Sequence, residues 1–324
     1  MAGKKELLIR TIEWTCKKIN GILENFGWQI SYGIHDFNVA QANIGLQSRM
    51  KINRSKIAIV IQGPITNLTL LNKTIKYYRN SFPQALVILS TWENVRNVEQ
   101  FEIDKLTKII FSEVPKYAGR QNVFLQMKST FAGIKEAHNL GFEYVLKTRT
   151  DQAILANTGL ERIYARWSQF QNGKIERILT SDFNTFIFRP FHINDQMQFF
   201  SIKTGLDFWK YDEPELQTVN GSFPIDFPER YLVKRYLEQL GMSSEENIEY
   251  HLHSLRDNFV IIDNEELELT WFKGTSRDLR FRFPQKSFPW EWNFCRFSDW
   301  IRIQSDLGWY LDAYADLQSK GIQY

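Results

Sequence analysis

The chain has 324 residues, 43% hydrophobic and 24% charged, with a formal net charge of +3; this is the make-up of a soluble globular protein with one large domain or two smaller ones. Forty Lys and Arg against 37 Asp and Glu exclude the strongly basic surface of a nucleic-acid binder, leaving a mild attraction for anionic ligands or a phospholipid surface. Cys16 and Cys295 form no CxxC and no Cys/His spacing, which excludes a disulfide framework or zinc site, and no stretch reaches the ~20 apolar residues of a membrane span, so a cytoplasmic setting is expected.

Residues 4–31 place Leu8, Ile9, Ile12, Cys16, Ile19, Ile22 and Leu23 at helical spacing among Lys and Glu. Such a helix either packs on the main domain or rests on a membrane surface, since Lys and Trp flank its apolar positions. From Lys56 strands and helices alternate. "KIAIVIQGPI" predicts a strand buried on both faces and ended by Gly63 and Pro64. A helix follows from Leu68 to about Asn80, stopped by Pro83. "ALVILSTW" is a second strand, Asn97–Leu106 a short helix and "TKIIFSEVP" a third strand. "RQNVFLQMKSTFAGIKEAHNLGF" predicts a long helix with Gly141 at its C-terminal cap. "EYVLKTRTDQAIL" is then a fourth strand. This order predicts an α/β fold with a mostly parallel sheet and right-handed crossovers. Neither GxGxxG nor GxxxxGK[ST] is present.

Past Asp151 the predicted elements are a helix in "GLERIYARWSQFQ", strands in "RILTSDF" and "QMQFFSI", and a short helix in "TGLDFWKYD". "PERYLVKRYLEQLGM" has Pro at a helix start and Gly241 as its stop. "NFVIID" is a last strand, and residues 275–300 form an irregular, aromatic-rich cap.

Lys147, Arg149 and Asp151 occupy alternate positions where the fourth strand leaves the core. Strand ends of an open α/β sheet are where ligands bind. Asp151 offers hard oxygen ligands to Mg²⁺ or Mn²⁺ bridging a diphosphate, or it pairs structurally with Lys147 and Arg149. In "FHINDQMQF", His192, Asn194, Asp195 and Gln196 form either a self-satisfied polar turn or a site in which Asp195 is a general base or holds a sugar hydroxyl. Glu229 in "PIDFPERY" is a first-turn acid that complements the helix dipole or a general base, with Asp226 as its substitute. Arg120, Arg149 and Lys273 are candidates to receive phosphates. His251 and His253 share a face only in a strand and point to no ligand.

"IVIQGPI", "LSTW", "RQN", "YVLKTRTDQ", "NDQMQF" and "FPERYL", in that order, resemble the WavE-type lipopolysaccharide synthesis family of glycosyltransferase-like proteins, from about Lys56 to Lys273. The resemblance implies a GT-A-like, Rossmann-like domain over residues 51–274, between an N-terminal helical extension (1–50) and a C-terminal cap (275–324). It implies a nucleotide-sugar at the strand ends and an acidic DxD-type motif holding a divalent cation. "TRTDQ" stands in that place with Asp151 as its last acid, but Arg149 stands where the first Asp is usual, so Arg149 itself is the alternative neutraliser of donor phosphate. Gln62, Gly63 and Pro64 match the strand end near the donor base. Glu229 matches the base of inverting members, with Asp195 as its competitor. Leu307–Ile322 is similar to a short repeat found beside glycan-synthesis enzymes, and the chain stops where that repeat would continue, as in a piece of a longer polysaccharide synthase.

The expected activity is transfer of a sugar from a nucleotide-sugar to a growing bacterial surface polysaccharide such as lipopolysaccharide, O-antigen or capsule. The acceptor would be an oligosaccharide or lipid-linked glycan, reached from the cytoplasmic face of the inner membrane by peripheral contact. A sugar-phosphate or polyol-phosphate transferase and a non-catalytic carbohydrate-binding module are the alternatives.

Overall fold

A computed structural model of the protein describes residues 56–93, 107–171, 173–212, 226–272 and 294–320. The predicted N-terminal helix, the helix over Asn97–Leu106 and Lys273 lie outside these residues. The strands are β1 (Ile57–Gln62), β2 (Leu86–Trp92), β3 (Thr107–Ser112), β4 (Tyr144–Arg149), β5 (Gln152–Ile154), β6 (Ile178–Ser181), β7 (Gln198–Ser201), β8 (Phe259–Ile262) and β9 (Leu269–Trp271). Seven form one sheet in the order β3-β2-β1-β4-β7-β6-β8, and β5 pairs with β9 in a second. β1 to β4 run parallel to their neighbours. β7 runs antiparallel to both β4 and β6. This is the anticipated α/β architecture with a mostly parallel sheet.

β1 is buried along its whole length, which is why its sequence is continuously apolar up to Gln62. The helices are α1 (Leu68–Ser81), α2 (Val123–Asn139), α3 (Gly159–Gln169), α4 (Ile202–Phe208), α5 (Pro228–Gln239), α6 (Ile248–Asn258), α7 (Asn264–Leu267), α8 (Phe297–Ser305) and α9 (Leu307–Ser319). α1 starts where the Asn67 side chain accepts the Leu70 N–H at 2.9 Å. α5 starts on Pro228 and stops before Gly241, whose φ of +72° favours glycine. Among the described residues no helix is long and apolar enough to cross a membrane.

Three expectations are corrected, and one helix lies where no element was expected. The predicted fourth strand breaks after Arg149, because Thr150 turns back on the end of β1, donating its N–H to the Gln62 carbonyl (3.0 Å) and its hydroxyl to the Pro64 carbonyl (2.7 Å). The chain then enters β5. His251 and His253 lie on helix α6, capped by Asn247 and burying His251, Leu252, Leu255 and Asn258 at helical spacing. The short helix after β7 begins at Ile202, capped by Ser201, and ends at Phe208. Helix α8 begins at Phe297, inside the supposedly irregular cap, with Asp299 accepting the Arg296 N–H. The C-terminal helices do pack on the domain, since the Trp300 indole donates to the Leu255 carbonyl at 2.8 Å.

The connection between β6 and β7, residues 182–197, is almost wholly buried, so its backbone polar groups need internal partners. Asn194 supplies several: its Oδ1 accepts the N–H groups of Gln196 (2.9 Å) and Met197 (3.0 Å), and its Nδ2 donates to the Phe183 carbonyl. His251 supplies two more. Its Nδ1 accepts the Phe191 N–H at 2.9 Å and its Nε2 lies 2.8 Å from the Phe186 carbonyl, which requires a neutral ring with the proton on Nε2. Phe191 is held at φ +59°.

Two predictions follow from this packing. A Cβ at Gly133 would stand 2.5 Å from Val60 Cγ1 and 3.2 Å from Ser90 Cβ, so Gly133 is what lets α2 lie on β1 and β2. Gly133→Ala is expected to destabilise the fold by about 1–3 kcal/mol, read as a lower denaturation midpoint; an unchanged midpoint would refute the close approach. Burial lowers the His251 pKa to about 4, below its unfolded value near 6.5. Its contribution is therefore present above pH 6.5 and is lost as pH falls through 4, on the order of 3 kcal/mol. His251→Gln is expected to be less stable at pH 7 and to show a shallower fall in stability between pH 6.5 and 4 than the parent.

Candidate active site

The strand order reverses direction between β1 and β4, so the crossovers leave the sheet on opposite sides and a crevice opens at the two carboxyl ends. Gln62 and Arg149 are register partners there. The Gln62 side chain is buried and its Oε1 accepts the Ser129 hydroxyl at 3.0 Å. Gly63 follows at φ +124°, with a Cβ there only 3.1 Å from Thr150 Oγ1. Pro64 contributes its carbonyl to Thr150.

Lys147 is fully buried. Its ammonium donates to the carbonyls of Asp195 and Gln196 and lies 4.6 Å from the centre of the Trp209 ring. Burial lowers its pKa to about 7, against the charge of Asp195, which works in the opposite direction. Arg149 forms a bidentate pair with Asp151, Nε to Oδ1 at 2.7 Å and Nη2 to Oδ2 at 2.9 Å. The Trp271 indole N–H adds a third bond to Asp151 Oδ2 at 3.1 Å. Trp271 is placed by β9, whose partner β5 begins next to Asp151.

The two other acids converge on the same crevice. Asp195 is buried, and its Oδ2 accepts Gln126 Nε2 at 2.5 Å from the first turns of α2. Glu229, in the first turn of α5, is buried and accepts Asn184 Nδ2 at 2.5 Å on Oε1, while its Oε2 has no hydrogen-bond partner. Burial, followed by the charge of Asp195, raises its pKa to about 8. A near-neutral carboxylate is the kind of group that can both take and hold a proton at physiological pH. His192 Nε2 lies 3.9 Å from Glu229 Oε1. Burial, reinforced by Arg189 and Arg230, lowers the His192 pKa to about 3, so the ring is neutral.

The structure thus brings together Lys147, Arg149, Asp151, Asp195 and Glu229, with Gln62–Pro64 at the adjoining strand end. Arg120 is exposed, its guanidinium 4.1 Å from the centre of the Phe227 ring just before α5. Asp226 pairs instead with Arg230 at 3.1 Å, and His253 lies near Glu249. Gln126, Asn184 and Trp271 are missed by sequence reasoning. The first is one polar residue in an amphipathic helix. Asn184 works through a left-handed backbone, φ +60°, and Trp271 through a strand pairing across the fold; neither leaves a local pattern.

The residues do not fit a divalent cation at Asp151. Both carboxylate oxygens are engaged by Arg149 and Trp271, and a 2+ ion about 4 Å from a guanidinium is repelled by roughly 8 kcal/mol at an effective dielectric of 20. Among the described residues no group of three or more His, Cys, Asp or Glu could hold a metal ion.

Comparison with known proteins places this site in context. Among solved structures the chain is similar to a cytidylyltransferase from Leptospira borgpetersenii serovar Hardjo-bovis (strain JB197), 13% identical with a TM-score of 0.39, over 82% of this chain and 95% of that one. It is also similar to a glycosyltransferase involved in the glycosylation of the major capsid of PBCV-1, 10% identical with a TM-score of 0.38, over 68% of this chain and 95% of that one. At these scores neither likeness bears on the chemistry. No curated protein matches the chain. The family model for WavE lipopolysaccharide synthesis matches residues 57–219, a span that holds Lys147, Arg149, Asp151 and Asp195. The chain belongs to the WavE lipopolysaccharide synthesis family.

Proposed function

We propose that the protein is a glycosyltransferase that moves a sugar from a nucleotide-sugar donor to a growing bacterial surface polysaccharide. The observation that carries this reading is the convergence of a guanidinium, Arg149, and two buried acids, Asp195 and Glu229, at the switch point of the sheet. Membership of the lipopolysaccharide-synthesis family supports the class of acceptor.

In the reaction an acceptor hydroxyl oxygen bonds to the anomeric carbon of the donor sugar. The bond from that carbon to the phosphate oxygen breaks, and its electron pair leaves on the phosphate. Arg149 offsets the developing negative charge. The hydroxyl proton passes to Glu229, whose unpartnered Oε2 is free to receive it. Asp195 stands beside it, held by Gln126, and Asn184 orients the accepting carboxylate. The neutral ring of His192 offers hydrogen-bonding nitrogens without competing for that proton. Acceptor and donor are read as substrates of a peripheral enzyme working at the cytoplasmic face of the inner membrane.

Two outcomes test this. Glu229 must be ionised to act as base, so kcat/KM is expected to rise with pH through about 8, and Glu229→Gln is expected to cost about 10²–10⁴-fold in rate. If Asp195 is the base instead, Asp195→Asn abolishes turnover while Glu229→Gln retains most of it. Mass analysis of the glycan after incubation with nucleotide-sugars is expected to show the added sugar alone; an increment that includes phosphorus would replace this reading with sugar-phosphate transfer.

A further inference from the structure

The position that the resemblance assigns to a metal-binding acid is occupied by a closed ion pair, and this has consequences for how a donor is held. We propose that Arg149, aligned by Asp151 and Trp271, is a preformed receptor for the phosphate of a nucleotide, and that donor binding needs no divalent cation. The inference rests on the glycosyl-transfer reading and sharpens it.

The geometry is built by the fold. Arg149 ends β4, and Asp151 follows it after the turn that Thr150 ties to the end of β1. The Phe272 N–H donates to the Asp151 carbonyl at 2.8 Å, and the β5–β9 pairing sets Trp271 against Gln152. The Trp271 indole N–H is thereby delivered to Asp151 Oδ2, and its ring centre lies 5.8 Å from the Arg149 guanidinium. Two separate strands, distant in sequence, are committed to holding one carboxylate.

That carboxylate in turn occupies Nε–H and one Nη2–H of Arg149. A guanidinium has five N–H donors, so three remain, on a side chain that is 21% exposed. Those three point away from Asp151 by the planarity of the group, and a planar fork of donors matches phosphate oxygens. Arg149 is the register partner of Gln62, and Gly63, the next residue of that strand end, lies close enough to Thr150 that a Cβ there would stand 3.1 Å from its Oγ1. A cation at this place would have to displace Arg149 from Asp151 and then share the site with it. With the pair intact, Asp151 is a positioning residue and Arg149 the group that touches the phosphate.

The test uses the full chain with UDP, GDP, CDP, dTDP and CMP, each in excess EDTA and in Mn²⁺, measured by thermal shift and by calorimetry. One of these nucleotides is expected to bind with the same Kd in EDTA as in Mn²⁺. Arg149→Met is expected to weaken that binding by about 10- to 100-fold, the loss that follows removal of hydrogen bonds to a charged group. Asp151→Asn keeps the size of the side chain and removes the charge that aligns Arg149; it is expected to weaken binding severalfold without making it respond to Mn²⁺. Arg149→Lys, which keeps charge but not the fork, separates loss of geometry from loss of charge, and circular dichroism of each variant checks folding.

Binding that appears only with Mn²⁺ would overturn the inference while leaving glycosyl transfer standing. Parent-like binding by Arg149→Met would overturn it as well. Failure of every nucleotide to bind in either condition would remove the phosphate receptor, and the glycan mass assay would then decide the wider reading by itself.

Discussion

The ammonium of Lys147 is buried completely between the end of β4 and the connection that carries Asp195. An unpaired buried charge is so costly that a group in that position loses its proton or acquires partners. Here two consecutive backbone carbonyls and the face of Trp209 surround it, and burial still draws its pKa down to about 7. Because those carbonyls belong to Asp195 and Gln196, the lysine ties an irregular segment to a strand of the central sheet. The position of the Asp195 carboxylate relative to Arg149 is therefore set by a rigid element and does not depend on a mobile loop. The same segment is fastened from behind by His251 and from within by Asn194.

Around this anchor the charges divide into two kinds. Arg149 and Asp151 form a closed, bidentate pair whose net charge is near zero but whose remaining donors face outward. Asp195 and Glu229 are both buried acids, and burial, with the charge of Asp195 adding to it, pushes Glu229 toward the protonated form. A buried acid that can release or accept one proton near neutral pH is suited to a reaction in which a hydroxyl is deprotonated while a phosphate departs. Strain accompanies this arrangement: Asn184, which bonds Glu229, and Phe191 both adopt left-handed backbone on the connection that carries Asp195. Such conformations cost energy and persist when surrounding packing over-determines them.

Much of the scaffold was legible beforehand. The unbroken apolar run from Ile57 to Ile61 required a strand covered on both faces, and Pro228 with Gly241 bracketed α5 closely. The charged end of β4 was recognisable because strand ends at a switch point are where ligands bind. The antiparallel insertion of β7 was not legible, since a four-residue strand carries no sign of its pairing direction. β5 and β9 were missed for the same reason: each has three residues, and they find each other only across more than a hundred positions. The helix that carries His251 and His253 was not anticipated, although Leu252, Leu255 and Asn258 continue a helical stripe from His251.

Residue types and their periodicity were sufficient for the parallel half of the sheet, the helices that cross it, and the choice of Arg149, Asp151, Asp195 and Glu229 as groups worth attention. These are local properties: burial of a strand, capping of a helix and the charge at a strand end all act over a few residues. Whether Asp151 meets a cation or a guanidinium, whether Glu229 rests protonated, and which residues steady each of them depended on contacts between distant segments. Trp271 reaches Asp151, Asn184 reaches Glu229, Gln126 reaches Asp195 and Lys147 reaches the carbonyls of Asp195 and Gln196 only once the chain is folded. Protonation and ligand preference follow from burial and from neighbouring charge in three dimensions, and neither quantity is a property of sequence spacing.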